Sequence, residues 1–291
     1  MYRTETEAVV TSTTDDGELS SPETPGSSAP RSARKPFRAK SILTSPAAKA
    51  VLGIVLVLAV WEAAVFIFQM PKYLLVGPIA AILELVERPD YYLEHSWITL
   101  QESLVGFVLG AALGIVCGAV LFYIPLLRHL LYPSLIAINT IPKVALAPLF
   151  IVWFGFGFES KAVVAMAIAF FPLVINTFDG LASVPPELRE LARINRASRF
   201  MQMTKIEIIY SLPYLFTGMK ISISMAVGGA VVGEFIAGSS GLGHIVLLAN
   251  SQVNLASMFA AFIVLAAMSL LLFLAIEMAG KKLLPWSAMN R

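Results

Sequence analysis

Six long apolar stretches dominate the chain, at roughly 47–69, 98–123, 130–154, 161–182, 210–236 and 254–280, with polar residues gathered between them. Each is long enough to cross about 30 Å of hydrocarbon as a helix, which takes about 20 apolar residues. The pattern predicts an all-α polytopic membrane protein of six transmembrane helices. It also predicts two regions: a polar tail at 1–45 and a membrane domain at 46–291, interrupted by a polar loop at 184–210. The tail is rich in Ser, Thr, Pro and Glu and buries too little apolar surface to offset the entropy of ordering, so it reads as disordered.

Within the spans, two patterns stand out. Gly106, Gly110, Gly114 and Gly118 recur every four residues, which sets them on one helical face and lets another backbone approach closely. Pro142, Pro148 and Pro172 interrupt the third and fourth spans, and a proline frees carbonyls that protein or a water-lined cavity must satisfy. Polar side chains inside spans are costly to bury and mark function. Asn139, Lys143, Asn176, Ser222, Ser224 and Glu234 are therefore candidates for a translocation pathway, Lys143 foremost as a lone cation between prolines. Glu102, Asp179 and Lys220 sit near span ends and are expected to snorkel or face water, and Glu62 to bond another helix of the bundle.

Composition agrees: 57% of the 291 residues are hydrophobic, 14% are charged, and mean hydropathy is +0.78. The net charge of +2 is uninformative, but its distribution is not. Residues 1–30 carry six acids against Arg3, and Arg31, Arg34, Lys35, Arg38 and Lys40 follow directly before the first span. That basic run fits a cytoplasmic flank able to meet anionic membrane lipid. Segment 70–97 has net charge −2 and segment 184–210 has +2. With both termini cytoplasmic, the basic loop lies inside and the acidic one outside, in keeping with the positive-inside rule.

Several classes of function are excluded or disfavoured. No Lys/Arg patch is interleaved with aromatics, which argues against nucleic acid. Cys117 is the single cysteine, so no internal disulfide framework or cysteine metal cluster exists. His95, His129 and His244 are isolated, so neither a catalytic constellation nor a metal site is expected. A secondary transporter or channel would call for paired coupling acids and internal repeats. No repeat is visible, and the 184–210 loop is far longer than the usual 4–6-residue connection.

That loop, PELRELARINRASRFMQMTKIEIIYSLPYLFTGMK from Pro186, reads as a polar, arginine-rich helix followed by an amphipathic one. Glu190-Leu191-Ala192, Arg193-Ile194-Asn195, Arg196-Ala197-Ser198-Arg199 and later Leu212-Pro213 resemble the EAA loop of inner-membrane permeases of ATP-binding-cassette (ABC) importers. The similarity is to the branch with nitrate, sulfonate, taurine and bicarbonate permeases. It runs from about residue 50 to 286 and includes IPKVALAPLFIVWFGFG at 141–157 and VVGEFIAGSSGLG at 231–243. Two positions depart from the pattern: the motif glycine falls on Arg196, and the earlier Leu-Pro on Ile208-Ile209. With glycine gone, the turn is expected either at Asn195, which tolerates left-handed geometry, or not at all, the helix running on.

The resemblance implies a type I importer permease fold in a bacterial inner membrane. No G-x-x-x-x-G-K-[ST] phosphate loop occurs in the chain, so ATP and Mg would be held by a separate ATPase dimer and this chain would catalyse nothing itself. The loop would couple to that ATPase through Glu187, Glu190, Ala192, Arg193, Arg196, Ala197, Ser198 and Arg199. The permease would pair with a second copy, and an extracytoplasmic binding protein would deliver solute to the 70–97, 155–161 and 237–253 loops. Lys143 and the branch point to a small anion such as a sulfonate, nitrate or carboxylate. The same pattern also resembles importers of thiamine-precursor pyrimidines and riboflavin, which would use aromatic stacking, with Phe150, Trp153, Phe154, Phe156, Phe158, Phe170 and Phe171 available.

Overall fold

A computed structural model describes residues 46–71 and 73–285. The acidic and basic stretches of 1–45, Lys72 and Arg291 lie outside them. The chain divides into a unit Met1–Ala50 and a unit Val51–Arg291.

Every regular element among the described residues is helical. In order the α-helices are α1 (Pro46–Ile67), α2 (Pro78–Glu87), α3 (Pro89–Tyr123), α4 (Pro125–Thr140), α5 (Ala147–Phe154), α6 (Phe158–Ala182), α7 (Pro186–Ile194), α8 (Arg199–Gln202), α9 (Ile208–Ala237), α10 (Leu242–Ser251) and α11 (Leu255–Leu283), with a 3-10 turn at Lys143–Leu146 and a π turn at Met203–Glu207. Four helical stretches are long and apolar enough to cross a membrane: α3, α6, α8 through α9, and α11. The bent pair α4–α5 would make a fifth. A sixth rests on α1, whose Leu52–Ile67 stretch is short of the required length of about 20 residues.

The core is a trio, α3, α6 and α9, packed backbone to backbone. Gly106, Gly110, Gly114 and Gly118 are all buried on α3 and face α6. A methyl group on Gly118 would sit 2.7 Å from the Val174 carbonyl, and one on Gly110 2.9 Å from that of Met166. Gly229 and Gly233 of α9 do the same against Ala165 and Lys161 on the next face of α6. In lipid, where no hydrophobic effect joins helices, such close approach supplies the van der Waals contact that does. The opposite face of α3 presents Val105, Val108, Leu109, Leu113 and Val116, all exposed. Around the trio, α10 and α11 close a second core of Tyr92, Val227, Leu242, Ile245, Ala260 and Ala261.

Helix limits differ from the sequence reading in three places. The second span begins at Pro89 and extends 35 residues, about 52 Å at 1.5 Å per residue, so it projects beyond the hydrocarbon. The third span is two helices bent by 89°: Ile141 is held extended (ψ 131°) before Pro142, as a residue preceding proline must be. Pro133, Pro172 and Pro213 lie within helices instead. The fifth span has no separate amphipathic segment before it, since helix runs from Arg199 to Ala237 through a π turn at Met203–Glu207.

Candidate functional site

The loop between α6 and α9 starts with Pro185 and Pro186, which set φ for the first turn of α7, with Glu187 at the positive end of the helix dipole. The helix stops by a Schellman motif: Ala197 N–H donates to Ala192 O and Arg196 N–H to Arg193 O, both at 2.9 Å. The left-handed residue of that motif is Arg196 itself, at φ +50°, while Asn195 stays at φ −78°. Neither expectation for the missing glycine holds: the turn forms at the glycine position, on an arginine. The motif's two hydrogen bonds offset a strain of about 1–2 kcal/mol for a non-glycine residue there. Ser198 then caps α8, its hydroxyl accepting from Met201 N–H at 3.2 Å.

The eight loop residues named above fall on two faces. Glu187 and Glu190 are exposed on the side of α7 that also carries Leu191 and Ile194, 55% and 77% exposed. Arg193, Arg196, Ala197 and Arg199 line a cavity of about 770 Å³ between the loop and the end of α3. Ala192 is buried. Arg189, absent from the sequence reading, ties the loop down: Nη2 donates to Leu181 O at 2.8 Å, Nε lies 3.6 Å from Glu207 Oε1, and the guanidinium sits 5.3 Å from the Phe122 ring centroid. Tyr123 OH donates to Glu207 Oε2 at 2.6 Å. Through these bonds α7 is fastened to α3, α6 and the start of the α9 helix.

Of the pathway candidates, Asn139 and Lys143 meet at the α4–α5 break. Lys143 Nζ donates to Asn139 O and Oδ1 at 2.9 and 2.8 Å and lies 4.8 Å from the Phe171 ring centroid. Asn176 donates to Pro172 O at 2.8 Å, and Ser224 is half-buried on α9. Ser222 and Glu234 are fully buried and engaged within the subunit, Ser222 with Ala169 O at 2.8 Å.

Glu234 belongs to a polar cluster that sequence reasoning did not assemble. Thr99 donates to Glu234 Oε1 at 2.6 Å and accepts from Leu242 N–H at 2.8 Å. Gly243 N–H donates to Glu234 Oε2, and Gly241 N–H to His95 Nδ1 at 2.8 Å. The 238–243 loop is thereby latched to α3. Gly241, at φ +102° and packed on the Glu234 carboxylate, has room for no side chain. Beside it Glu102 is buried and paired with Lys161 at 2.9 Å; it does not snorkel. Asp179 is exposed as expected, and Glu62 accepts from Ile79 N–H at 3.2 Å, capping α2. In α3 the glycine stripe continues at spacing four to Glu102, with Thr99 three residues before it, and all are buried.

Known proteins are similar to this chain in sequence and fold. Residues 110–285 match the family model of the binding-protein-dependent transport system inner membrane component. The chain is 35% identical over 245 residues to the riboflavin transport system permease RibX of Chloroflexus aurantiacus, covering 84% of this chain and 91% of that one. It is 32% identical over 236 residues to the formylaminopyrimidine transport permease ThiX of Halalkalibacterium halodurans, covering 81% and 94%. It is 31% identical over 233 residues to the putative aliphatic sulfonates transport permease SsuC of Bacillus subtilis, covering 79% and 84%. The fold matches a solved inward-facing structure of the MetNI methionine ABC transporter with a TM-score of 0.61 at 19% identity, over 67% of this chain and 97% of that one. The chain belongs to the inner-membrane permease components of binding-protein-dependent ABC importers.

Proposed function

We propose that two copies of this chain form a central path through which a small solute, delivered by an extracytoplasmic binding protein, enters the cytoplasm on ATP hydrolysis by a separate ATPase dimer. The observation that carries the coupling is α7: its outward face of Glu187, Glu190, Leu191 and Ile194 is exposed among the described residues, while Arg189 fastens its other side to the ends of three membrane helices. A force applied to that face moves the helices as one body, and closure of the ATPases around ATP would bias the path between its two openings. Both termini and the α7 loop face the cytoplasm in this reading. Co-purification with an ATPase and ATP-driven uptake in proteoliposomes test it. Glu190→Arg with Ile194→Asp should abolish both, whereas intact association would overturn the role of α7.

The half-exposed candidates Asn139, Lys143, Asn176 and Ser224 form the pathway in this proposal, and the buried Ser222 and Glu234 hold helices together. The Lys143 ammonium supports a small anion of the sulfonate, nitrate or carboxylate type. A second reading, a pyrimidine or a riboflavin-like heterocycle, is supported by Phe171 beside Lys143, which together offer a stacking face and a charge. Competition of uptake by an alkanesulfonate against riboflavin separates the two.

A further inference from the structure

The cavity between α7 and the end of α3 has a charge balance that the loop's own bonds leave open. Four guanidinium groups, Arg189, Arg193, Arg196 and Arg199, line its 770 Å³ against one carboxylate, Glu207. Glu207 is already occupied, accepting from Tyr123 and paired with Arg189. Among the described residues no carboxylate lies within ion-pair distance of Arg193, Arg196 or Arg199. Three like charges thus share one concave surface, and one of them, Arg196, occupies a strained backbone position that glycine would fill without cost. Retained strain of this kind points to a use for the side chain. The remaining wall includes Phe122 and Pro125, at the end of α3 and the start of α4.

We propose that this cavity binds the phosphate of an anionic phospholipid headgroup, with the acyl chains running along the apolar end of α3. Arginine suits that ligand, since its planar fork meets phosphate oxygens two at a time, and basic pockets at membrane surfaces take such headgroups. The site lies behind α7, on the side away from Leu191 and Ile194, so lipid and ATPase would occupy different faces of the same helix. It rests on the membrane placement of the family and not on the ATPase reading, and binding is read without ATP, so either can fail alone.

The test uses the purified full-length chain, titrated with dioleoylphosphatidylglycerol, dioleoylphosphatidylcholine or inorganic phosphate. Thermal stabilisation and lipid retained in native mass spectrometry are the readouts. Phosphatidylglycerol should stabilise and be retained, phosphatidylcholine should do neither, and phosphate alone should give a smaller shift. Arg193→Gln with Arg199→Gln should weaken phosphatidylglycerol binding roughly tenfold or more, two charged contacts being lost. Arg196→Gly separates binding from architecture: relief of the turn should raise the lipid-free Tm while phosphatidylglycerol binding falls. Equal effects of the two lipids, or wild-type affinity in the double variant, would overturn the proposal. So would phosphate alone giving the whole shift, which would make this a free-phosphate site. Loss of the lipid preference once the ATPase is bound would reassign the arginines to a protein contact and overturn it as well.

Discussion

Lys161 is a cation with 4% exposure inside a membrane helix bundle, held 2.9 Å from Glu102. A buried ion pair adds little stability over an apolar pair of the same shape, but removing one partner strands the other charge and costs about 3–5 kcal/mol. Lys161→Met should therefore lower the Tm strongly, and Lys161→Met with Glu102→Gln should recover most of the loss; a double variant no better than the single would disprove the pairing argument. Thr99 makes a second case. It bridges Glu234 and Leu242 N–H with one hydroxyl, so Thr99→Val leaves a buried donor and a buried acceptor unmet, at about 1–3 kcal/mol each. Amide hydrogen exchange at 241–243 should rise well above its wild-type rate while exchange in the middle of α6 stays slow.

Among elements, the contact between α3 and α6 depends on what is missing from α3. A side chain on Gly114 would meet Leu173 Cβ at 2.8 Å and the Phe170 carbonyl at 2.9 Å. Backbone carbonyls cannot yield as a flexible side chain can, so Gly114→Leu must separate two helices that pack along their length. Little folded protein should be recovered in detergent. Gly53→Leu on α1 is the control: nothing lies within 4 Å of its added Cβ, and recovery should match wild type. Should Gly114→Leu also match it, the glycine stripe would carry no packing role. Helix α4–α5 shows the converse: beside its 89° break, Lys143 Nζ turns back onto the Asn139 carbonyl and over the Phe171 ring of α6.

At the level of the whole molecule, α3, α6 and α9 pack closely, and two segments are fastened at opposite ends of α3: the 238–243 loop through His95 and Thr99, and α7 through Arg189 over Phe122. Motion imposed on α7 therefore has a path of tightly packed helices to follow, as rigid-body switching requires. If the half-exposed residues at the α4–α5 break line the path, Lys143→Met should raise the KM of uptake of an anionic solute at least several-fold with little change in the amount of assembled transporter. Unchanged KM and rate would remove Lys143 from the path.

Much of this was legible from residues alone. Long apolar stretches specify membrane helices because an unsatisfied backbone has no alternative in lipid, and the glycine stripe and the charged 184–210 segment are local patterns that announce close packing and a polar helix between two spans. The motif residues in 190–213 and 231–243 were enough to suggest the family that the comparisons establish. Three matters waited for the tertiary structure. Pro142 breaks its span while Pro172 and Pro213 sit inside unbroken helices, which the prolines alone do not determine, because the fate of the carbonyl four residues earlier depends on what packs beside it. That Arg196 would adopt a left-handed turn follows from the two Schellman hydrogen bonds, which outweigh the local preference of an arginine. The joining of Thr99, Glu102, Lys161 and Glu234 needed three helices brought side by side, because the stripe on α3 names its own residues but not their partners, up to 135 positions away.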